Sequence, residues 1–317
     1  MSAGATLHSI REAHARIAPL IHRTPIFRST SLDRMAGAQL LFKCENLQKT
    51  GSFKIRGATN VIFSLPDDKA ARGVVTHSSG NHGAAVAYAA RRRGIRAWIV
   101  VPRGAPEVKR RAIADFGAEI IECEPTMEAR EAAAREILDR TGATLVHPYD
   151  DDRIIAAQAT ATVELIEDAG DLDLILAPVS GGGLMSGTAI AAQSLVPGIR
   201  VIGCEPAGAD DAFRSLQAGQ LLKNAKVETI ADGLRASLSD RTFAILRERL
   251  ESVVLISEEE IRQAMRLVWE RLKLVIEPSS AVPVAAALFR KIDPAASRIG
   301  ILLSGGNLDL GPFFDHL

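Results

Sequence analysis

Only three cysteines, Cys44, Cys123 and Cys204, occur in 317 residues, and they lie far apart. They form no metal-type spacing and point to a reducing compartment. An excess of charge of either sign is missing as well: 38 basic side chains face 38 acidic ones, so the formal net charge is zero. That balance offers no footprint for nucleic acid and no cationic face for an acidic membrane. The stretch from Met1 to Arg11 holds no apolar core of signal-peptide length. No apolar run elsewhere reaches the length of a membrane span. No internal repeat, low-complexity tract or long linker interrupts the chain. These absences leave the expectation of a soluble, cytoplasmic globular protein of two domains or one large one, without a nucleic-acid or membrane partner.

What is present is an alternation. Strands are expected at Leu40 to Cys44, Gly73 to His77, Arg96 to Val101, Glu119 to Cys123, Thr144 to His147, Leu172 to Val179, Val201 to Cys204, Val253 to Ile256 and Ile299 to Leu303. Helices are expected at residues 7 to 19, from Ser29 to Met35, from the alanine-rich stretch ending near Arg93, and at Val108 to Phe116, Glu128 to Asp139, Leu184 to Leu195 and Ser257 to Leu272. Strands apolar on both faces, alternating with helices, predict an α/β fold of mainly parallel sheets covered by helices. Boundaries fall near Ser64 to Arg72 and Pro148 to Arg153, which makes 1–63 with 152–317 a large domain and 64–151 a small one.

One short stretch organises the rest: Thr50-Gly-Ser-Phe-Lys-Ile-Arg-Gly57. Thr50, Gly51 and Ser52 read as a helix N-cap region, which places Lys54 in the first turn. There the helix dipole and burial beside Phe53 both disfavour the ammonium form. A lysine made neutral in this way can attack a carbonyl and form an imine; otherwise it is an ordinary lysine extended along the surface. Three strand-to-helix junctions add polar, glycine-rich loops: Ser78-Ser-Gly-Asn-His-Gly83, Pro178-Val-Ser-Gly-Gly-Gly-Leu-Met-Ser-Gly187 and Leu303-Ser-Gly-Gly-Asn307. In parallel sheets such loops lie at the carboxyl ends of the strands, where ligands bind. The first suits a carboxylate at a helix N-terminus, and the second is a cradle of backbone N–H groups for a phosphate. The second lacks the Gly-Lys-Ser/Thr ending of a nucleotide loop and the dinucleotide glycine spacing. Each loop alone could be a tight turn. Together with the lysine they point to a phosphate-bearing cofactor held as an imine, a description that pyridoxal phosphate fits.

The motifs Lys-Thr-Gly-Ser-Phe-Lys-Ile-Arg-Gly-Ala, Ser-Ser-Gly-Asn-His-Gly, the glycine loop, Ile230-Ala-Asp-Gly-Leu, Glu277-Pro-Ser-Ser and Leu303-Ser-Gly-Gly-Asn occur in one order, and the similarity runs from Thr24-Pro25 to Asn307. In these the chain resembles the fold-type II pyridoxal-phosphate enzymes of the serine/threonine dehydratase and serine racemase family. The resemblance implies a tryptophan synthase β-like architecture, a homodimer, and a small-molecule amino-acid substrate, with the large domain binding the cofactor. With no regulatory domain expected after Leu317, it is nearer the short catabolic and racemase members. Carried onto this chain, it implies that Lys54 links to the cofactor and acts as the base at the substrate Cα. Phe53 would pack on the ring, Asn81 would meet the ring hydroxyl, and Ser304 the pyridine nitrogen. Gly181, Gly182, Gly183 and Leu184 would hold the phosphate. Ser78, Ser79, Gly80, Asn81 and His82 would hold the substrate carboxylate.

A serine hydroxyl cannot keep the pyridine protonated as an aspartate would. Such a site suits β-elimination from a 3-hydroxy amino acid to a 2-oxo acid and ammonia. Ser79, expected across the substrate Cα from Lys54, is a candidate second acid/base group for racemisation; the other reading is a hydrogen bond to the loop or substrate. The resemblance to metal-activated members also implies a divalent cation, Mg²⁺, Ca²⁺ or Mn²⁺, at Glu205, Asp211 and the Ala209 carbonyl, all hard oxygen ligands. Without a cation, Glu205 ends a strand while Asp210 and Asp211 start a helix. The chain departs from the family pattern at Ser180, Ala157 and Ala159, where glycines are frequent, and these changes are expected to reshape the substrate pocket. The alternatives are a 3-hydroxyaspartate dehydratase, an enzyme that is primarily a serine racemase, a β-replacement enzyme, and a non-catalytic ligand-binding protein.

Overall fold

The computed structural model describes residues 4–78, 80–105, 107–292 and 296–309. Ten strands form two sheets among them. The strands are β1 Ile26–Phe27, β2 Gln39–Cys44, β3 Val74–Thr76, β4 Ala97–Pro102, β5 Glu119–Cys123, β6 Thr144–Leu145, β7 Leu174–Pro178, β8 Arg200–Pro206, β9 Ser252–Ile256 and β10 Arg298–Leu303. The larger sheet has the order β1-β2-β10-β7-β8-β9 and the smaller β5-β4-β3-β6. Every pairing is parallel except β1 with β2. Strands β4 and β7 are buried along their whole length, which is why their sequences, Ala-Trp-Ile-Val-Val-Pro and Leu-Ile-Leu-Ala-Pro, show no polar alternation. Edge strand β5 keeps Glu119 and Glu122 exposed, a charged rim that discourages further pairing.

Parallel pairing sends all the functional loops to one end of each sheet. The segment carrying Lys54 leaves β2, the Ser304 loop leaves β10 and the triple-glycine loop leaves β7. These three strands are adjacent, with β10 in the middle. From the smaller sheet, the Ser78 loop leaves β3 and the segment from Val146 onward leaves β6.

Several elements escape the sequence pattern. The Pro278–Leu288 helix is buried on almost every side, so it has no amphipathic period to read. Pro278 opens it at a position whose N–H would lack a partner in any case. The expected strand Thr144 to His147 stops at Leu145, and the residues after it leave the sheet for the site. The N-cap reading of Thr50, Gly51 and Ser52 is wrong. The Lys54–Ser64 helix has Phe53 at its cap with no side-chain cap bond, while Thr50 and Gly51 sit in a tight turn with φ of 64° and 71°. Ala157 and Ala159 are fully buried in the core with Ile55 and Ala58, which gives them a packing role.

The Lys54–Ser64 helix is anchored by a buried cluster of four charges. Arg56, with no exposed surface, donates to both carboxylate oxygens of Glu45 at 2.7 Å and to those of Glu164 at 2.7 and 2.8 Å. Lys43 Nζ donates to Glu164 and to the Thr24 carbonyl, each at 2.7 Å. Two positive and two negative groups cancel, and the Arg56 guanidinium is matched bidentately. Burial pushes the Glu164 carboxyl upward, but the Arg56 hydrogen bonds and charge, then Lys43, outweigh it and hold it down at about 2. A carboxyl lowered by folding stabilises the protein above its ordinary pKa and loses that contribution as pH falls toward 2. Glu164→Gln leaves one buried positive charge unmatched. It should lower the unfolding free energy by about 3–5 kcal/mol in urea titrations at neutral pH, and flatten the acid limb of stability against pH.

Candidate active site

The site grows from a zipped pair of loops. Phe53 N–H donates to the Ser304 carbonyl at 3.0 Å, Ser52 bridges Gly305, and Gly306 N–H donates to the Gly51 carbonyl at 2.9 Å. Asn307 Nδ2 donates to the Thr50 carbonyl at 2.7 Å. A Cβ on Gly51 would lie 2.2 Å from the Asn307 side-chain oxygen, so only glycine admits this closure. Thr50 to Ser52 are therefore spent on joining the β2 and β10 loops, which is why they do not cap the helix.

Lys54 emerges from that junction as the first residue of its helix. Its Nζ donates to the Pro148 carbonyl at 2.8 Å and lies 5.0 Å from the centre of the Phe53 ring. Burial pulls the amine down to about 8, against the opposing charge of Glu277. A substantial neutral fraction then exists near neutral pH, the form that can act as nucleophile or base. The Pro148 carbonyl belongs to the segment after β6, so this one bond links the loops of the two sheets.

Asn81 starts the helix that follows the Ser78 loop. Its Nδ2 donates to both oxygens of Glu277 at 2.9 and 3.1 Å, and its Oδ1 accepts from Asn307 Nδ2 at 2.9 Å. Glu277 in turn takes its backbone N–H to the Gly305 carbonyl at 3.1 Å. Asn81, Glu277, Asn307 and the Ser304 loop are thus one connected group. Ser304 is buried, with its Oγ 3.1 Å from Ser280 Oγ. Ser280 already donates its hydroxyl hydrogen to the Gly305 carbonyl at 2.6 Å, which makes Ser304 the donor of the pair. Ser78 and Gly80 flank the position of Ser79, which lies outside the described residues. A Cβ on Gly83 would meet the Ser78 carbonyl at 2.0 Å, so the loop folds tightly onto its helix. The His82 ring is buried, with Nε2 2.9 Å from the Val146 carbonyl oxygen.

Opposite these lies the triple-glycine loop. Gly182 caps the Gly183–Leu195 helix at a φ of 84°, without a side-chain cap bond. The first N–H groups of that helix therefore have no partner from the helix itself or from a capping side chain. A Cβ on Gly181 would lie 2.4 Å from the Tyr149 ring, on Gly182 2.7 Å from Thr242 Cβ, and on Gly183 2.9 Å from Tyr149 Cβ. The walls thus require three bare glycines, and what they leave is a cradle of backbone N–H groups that fits a phosphate. Ser180, where a glycine was expected, adopts a φ of 52°, a left-handed conformation that costs a side-chain residue some strain. A half-buried lysine lowered to about 8, a cradle of N–H groups and the Phe53 ring 5.0 Å from the Lys54 amine together fit pyridoxal phosphate.

The carboxylates of Glu205 and Asp211 are both buried. Glu205 accepts from Phe213 N–H at 2.9 Å and Asp211 from Leu238 N–H at 3.0 Å. Burial, then Asp211, pushes Glu205 up to about 8, and burial pushes Asp211 up to about 6. Ala209 sits in the turn between them, also buried. Among the described residues no group of three or more His, Cys, Asp or Glu side chains could hold a metal ion.

Reading the sequence missed four contributors. The Pro148 carbonyl is a backbone group with no sequence signal. Tyr149 and the Glu277 side chain could have been found from their place beside strand ends or in a motif. Arg130 sits on the Met127–Thr141 helix with its Nε buried and unpartnered among the described residues; burial is what chiefly lowers the nearby His77 ring, with the Arg130 charge adding a smaller push against Glu131.

The family model described as pyridoxal-phosphate dependent enzyme matches residues 17–305. A serine racemase of Dictyostelium discoideum is 49% identical over 309 residues, covering 96% of this chain and 95% of that protein. A beta-hydroxyaspartate dehydratase of Paracoccus denitrificans is 46% identical over 305 residues, covering 96% and 97%. The solved structure of maize serine racemase superposes with a TM-score of 0.97 at 47% identity, covering 99% of this chain and 97% of its own.

Proposed function

The chain belongs to the family of pyridoxal-phosphate dependent enzymes, and we propose that it is a fold-type II ammonia-lyase. It converts a 3-hydroxy amino acid such as L-serine or L-threonine to a 2-oxo acid and ammonia, with serine racemisation as a second activity. The observation that carries this reading is Lys54, a buried amine drawn down to about 8 and aimed by the Pro148 carbonyl. When bound, pyridoxal phosphate supplies an aldehyde that captures amines and a ring that draws electrons from the substrate Cα.

The residues divide the remaining work. The N–H groups of Gly181, Gly183 and Leu184 would hold the phosphate, while that of Gly182 donates to the Val179 carbonyl at 3.1 Å, and Phe53 would cover one side of the ring. Asn81, fixed by Glu277 and Asn307, would meet the ring hydroxyl. Ser304 would turn its one hydroxyl hydrogen from Ser280 to the ring nitrogen, a neutral donor that would favour loss of the β-hydroxyl in step with the α-proton. The Ser78 to His82 loop and the N-terminus of the Asn81–Arg93 helix take the substrate carboxylate. Lys54, once free as an amine, would move the proton at Cα; Ser79 would be the second acid/base group for racemisation. A cytoplasmic homodimer, with 1–63 and 152–317 binding the cofactor and 64–151 as the small domain, completes the proposal.

A second reading is dehydration of 3-hydroxyaspartate. Its second carboxylate needs a cation, and Arg130 has an unpartnered Nε on the His77 side of the small sheet. The Paracoccus relative, a beta-hydroxyaspartate dehydratase by name, supports it. A divalent cation at Glu205, Asp211 and the Ala209 carbonyl is also part of the proposal. Burial favours the protonated form of both carboxyls, and a hard cation would take the place of the proton between them.

Two measurements test these statements. Holoenzyme given L-serine, L-threonine and L-3-hydroxyaspartate should release ammonia and 2-oxo acid in equal amounts from at least one. It should also interconvert L- and D-serine. Ammonia from none of them rejects elimination, and the preferred substrate decides between the two readings. Exhaustive chelation should lower activity and Tm together, and Mg²⁺, Ca²⁺ or Mn²⁺ should restore both, but not in Asp211→Ala. Unchanged activity and Tm after chelation would reject the cation.

A further inference from the structure

His82 holds a buried ring nitrogen whose partner is missing. Its Nε2 lies 2.9 Å from the Val146 carbonyl oxygen. A carbonyl oxygen only accepts, so the ring proton is on Nε2 and Nδ1 is a bare acceptor. Among the described residues Nδ1 is buried with no hydrogen-bond partner. Buried acceptors are rarely left unpaired, so this one calls for a donor. Two residues past Val146, the Pro148 carbonyl accepts from Lys54 Nζ at 2.8 Å. His82 and Lys54 are therefore fastened to the same short segment after β6. His82 also senses the lysine: burial first, and then the charge of Lys54, holds its ring neutral.

We propose that His82 is a positioning residue for Lys54, whose bare Nδ1 accepts a hydrogen bond from the Lys54 ammonium once the lysine has taken up the substrate α-proton. The proposal rests on the reading of Lys54 as the base. The neutral amine carries two N–H bonds, and proton uptake breaks the Cα–H bond and adds a third. One N–H stays on the Pro148 carbonyl, a second goes to His82 Nδ1, and the third returns the proton when needed. The imidazole does not become the base, because burial and the neighbouring Lys54 charge keep it far from protonation. The other groups facing the pair are accounted for. Glu277, from the start of the Pro278–Leu288 helix, raises Lys54. His147, after β6, and His77, after β3, are both held neutral chiefly by burial, His147 at about 4. Asn81, between His82 and Glu277, is uncharged. A hydrogen bond to the charged form raises a lysine pKa, so His82 gives the ammonium a home that burial alone denies it.

Two substitutions separate this role from a structural one. His82→Gln keeps a side-chain N–H for the Val146 carbonyl but removes the acceptor at Nδ1. His82→Asn places an amide oxygen near the Nδ1 position and gives up the Val146 bond. In cofactor-free protein, the ionisation of Lys54 is read from the pH dependence of amine labelling, quantified by peptide mass spectrometry. His82→Gln should raise the acid dissociation constant of Lys54 by about three- to tenfold, and His82→Asn should leave it near wild type. In holoenzyme, where Lys54 is a free amine only with substrate bound, the acid limb of kcat should move to lower pH in the Gln variant alone. An unshifted Lys54 in the Gln variant, or a shift only in the Asn variant, overturns the proposal. Should either variant fold poorly, wild-type protein still decides: the His82 Nδ1 nitrogen NMR signal should follow Lys54 ionisation and cease to move in Lys54→Met. A signal that ignores Lys54 overturns it too. The labelling arm reads the lysine without turnover, so absent lyase activity would count against the proposed function and not against this contact.

Discussion

The buried pairing of Arg56 with Glu45 and Glu164 is the constraint on which the site depends. Arg56 stands two residues after Lys54, and its guanidinium is held by carboxylates from the β2 loop and from the Thr160–Ala169 helix. A helix start fixed at that point cannot slide or rotate without separating buried charges, which is strongly unfavourable. Lys54 is thereby presented at one height and one angle to whatever lies across from it. The net charge of the cluster is zero, so it stiffens the site without adding a field that would alter the lysine. What lowers the lysine is burial.

From this anchor the rest of the site is assembled by parallel pairing. Strands β2, β10 and β7 lie side by side, so the lysine segment, the Ser304 loop and the glycine cradle open at the same end without any long connection. The smaller sheet adds the Ser78 loop and the Pro148 carbonyl from the other side. The bond from Lys54 to Pro148 spans the two groups of loops. The chain thus has an amine that belongs to one sheet and an orienting acceptor that belongs to the other. Any opening of the small sheet away from the large one would release the amine from its acceptor.

Much of this was legible in the sequence because the signals were local. Fully buried strands such as β4 and β7 announce themselves by unbroken apolar runs, and glycine loops at strand ends follow from where parallel sheets place their junctions. The bidentate Arg56 cluster was not legible, since its partners lie 11 and 108 positions away. Thr50 to Ser52 misled because polar residues before a helix usually cap it, whereas here tertiary pairing with Gly305 to Asn307 claims them. The Pro278–Leu288 helix was invisible to periodicity because it is buried almost all round. The Pro148 carbonyl could not be read at all, because a backbone acceptor leaves no trace in residue identity.

The account's central claim is that Lys54 carries the cofactor, and one measurement reaches it directly. Borohydride reduction of purified holoenzyme should abolish its absorbance band at the edge of the visible and fix the cofactor covalently. Peptide mapping should then place the pyridoxyl adduct on Lys54. An adduct on Lys43, Lys49 or any other lysine, or none at all in protein that retains the band, would contradict it.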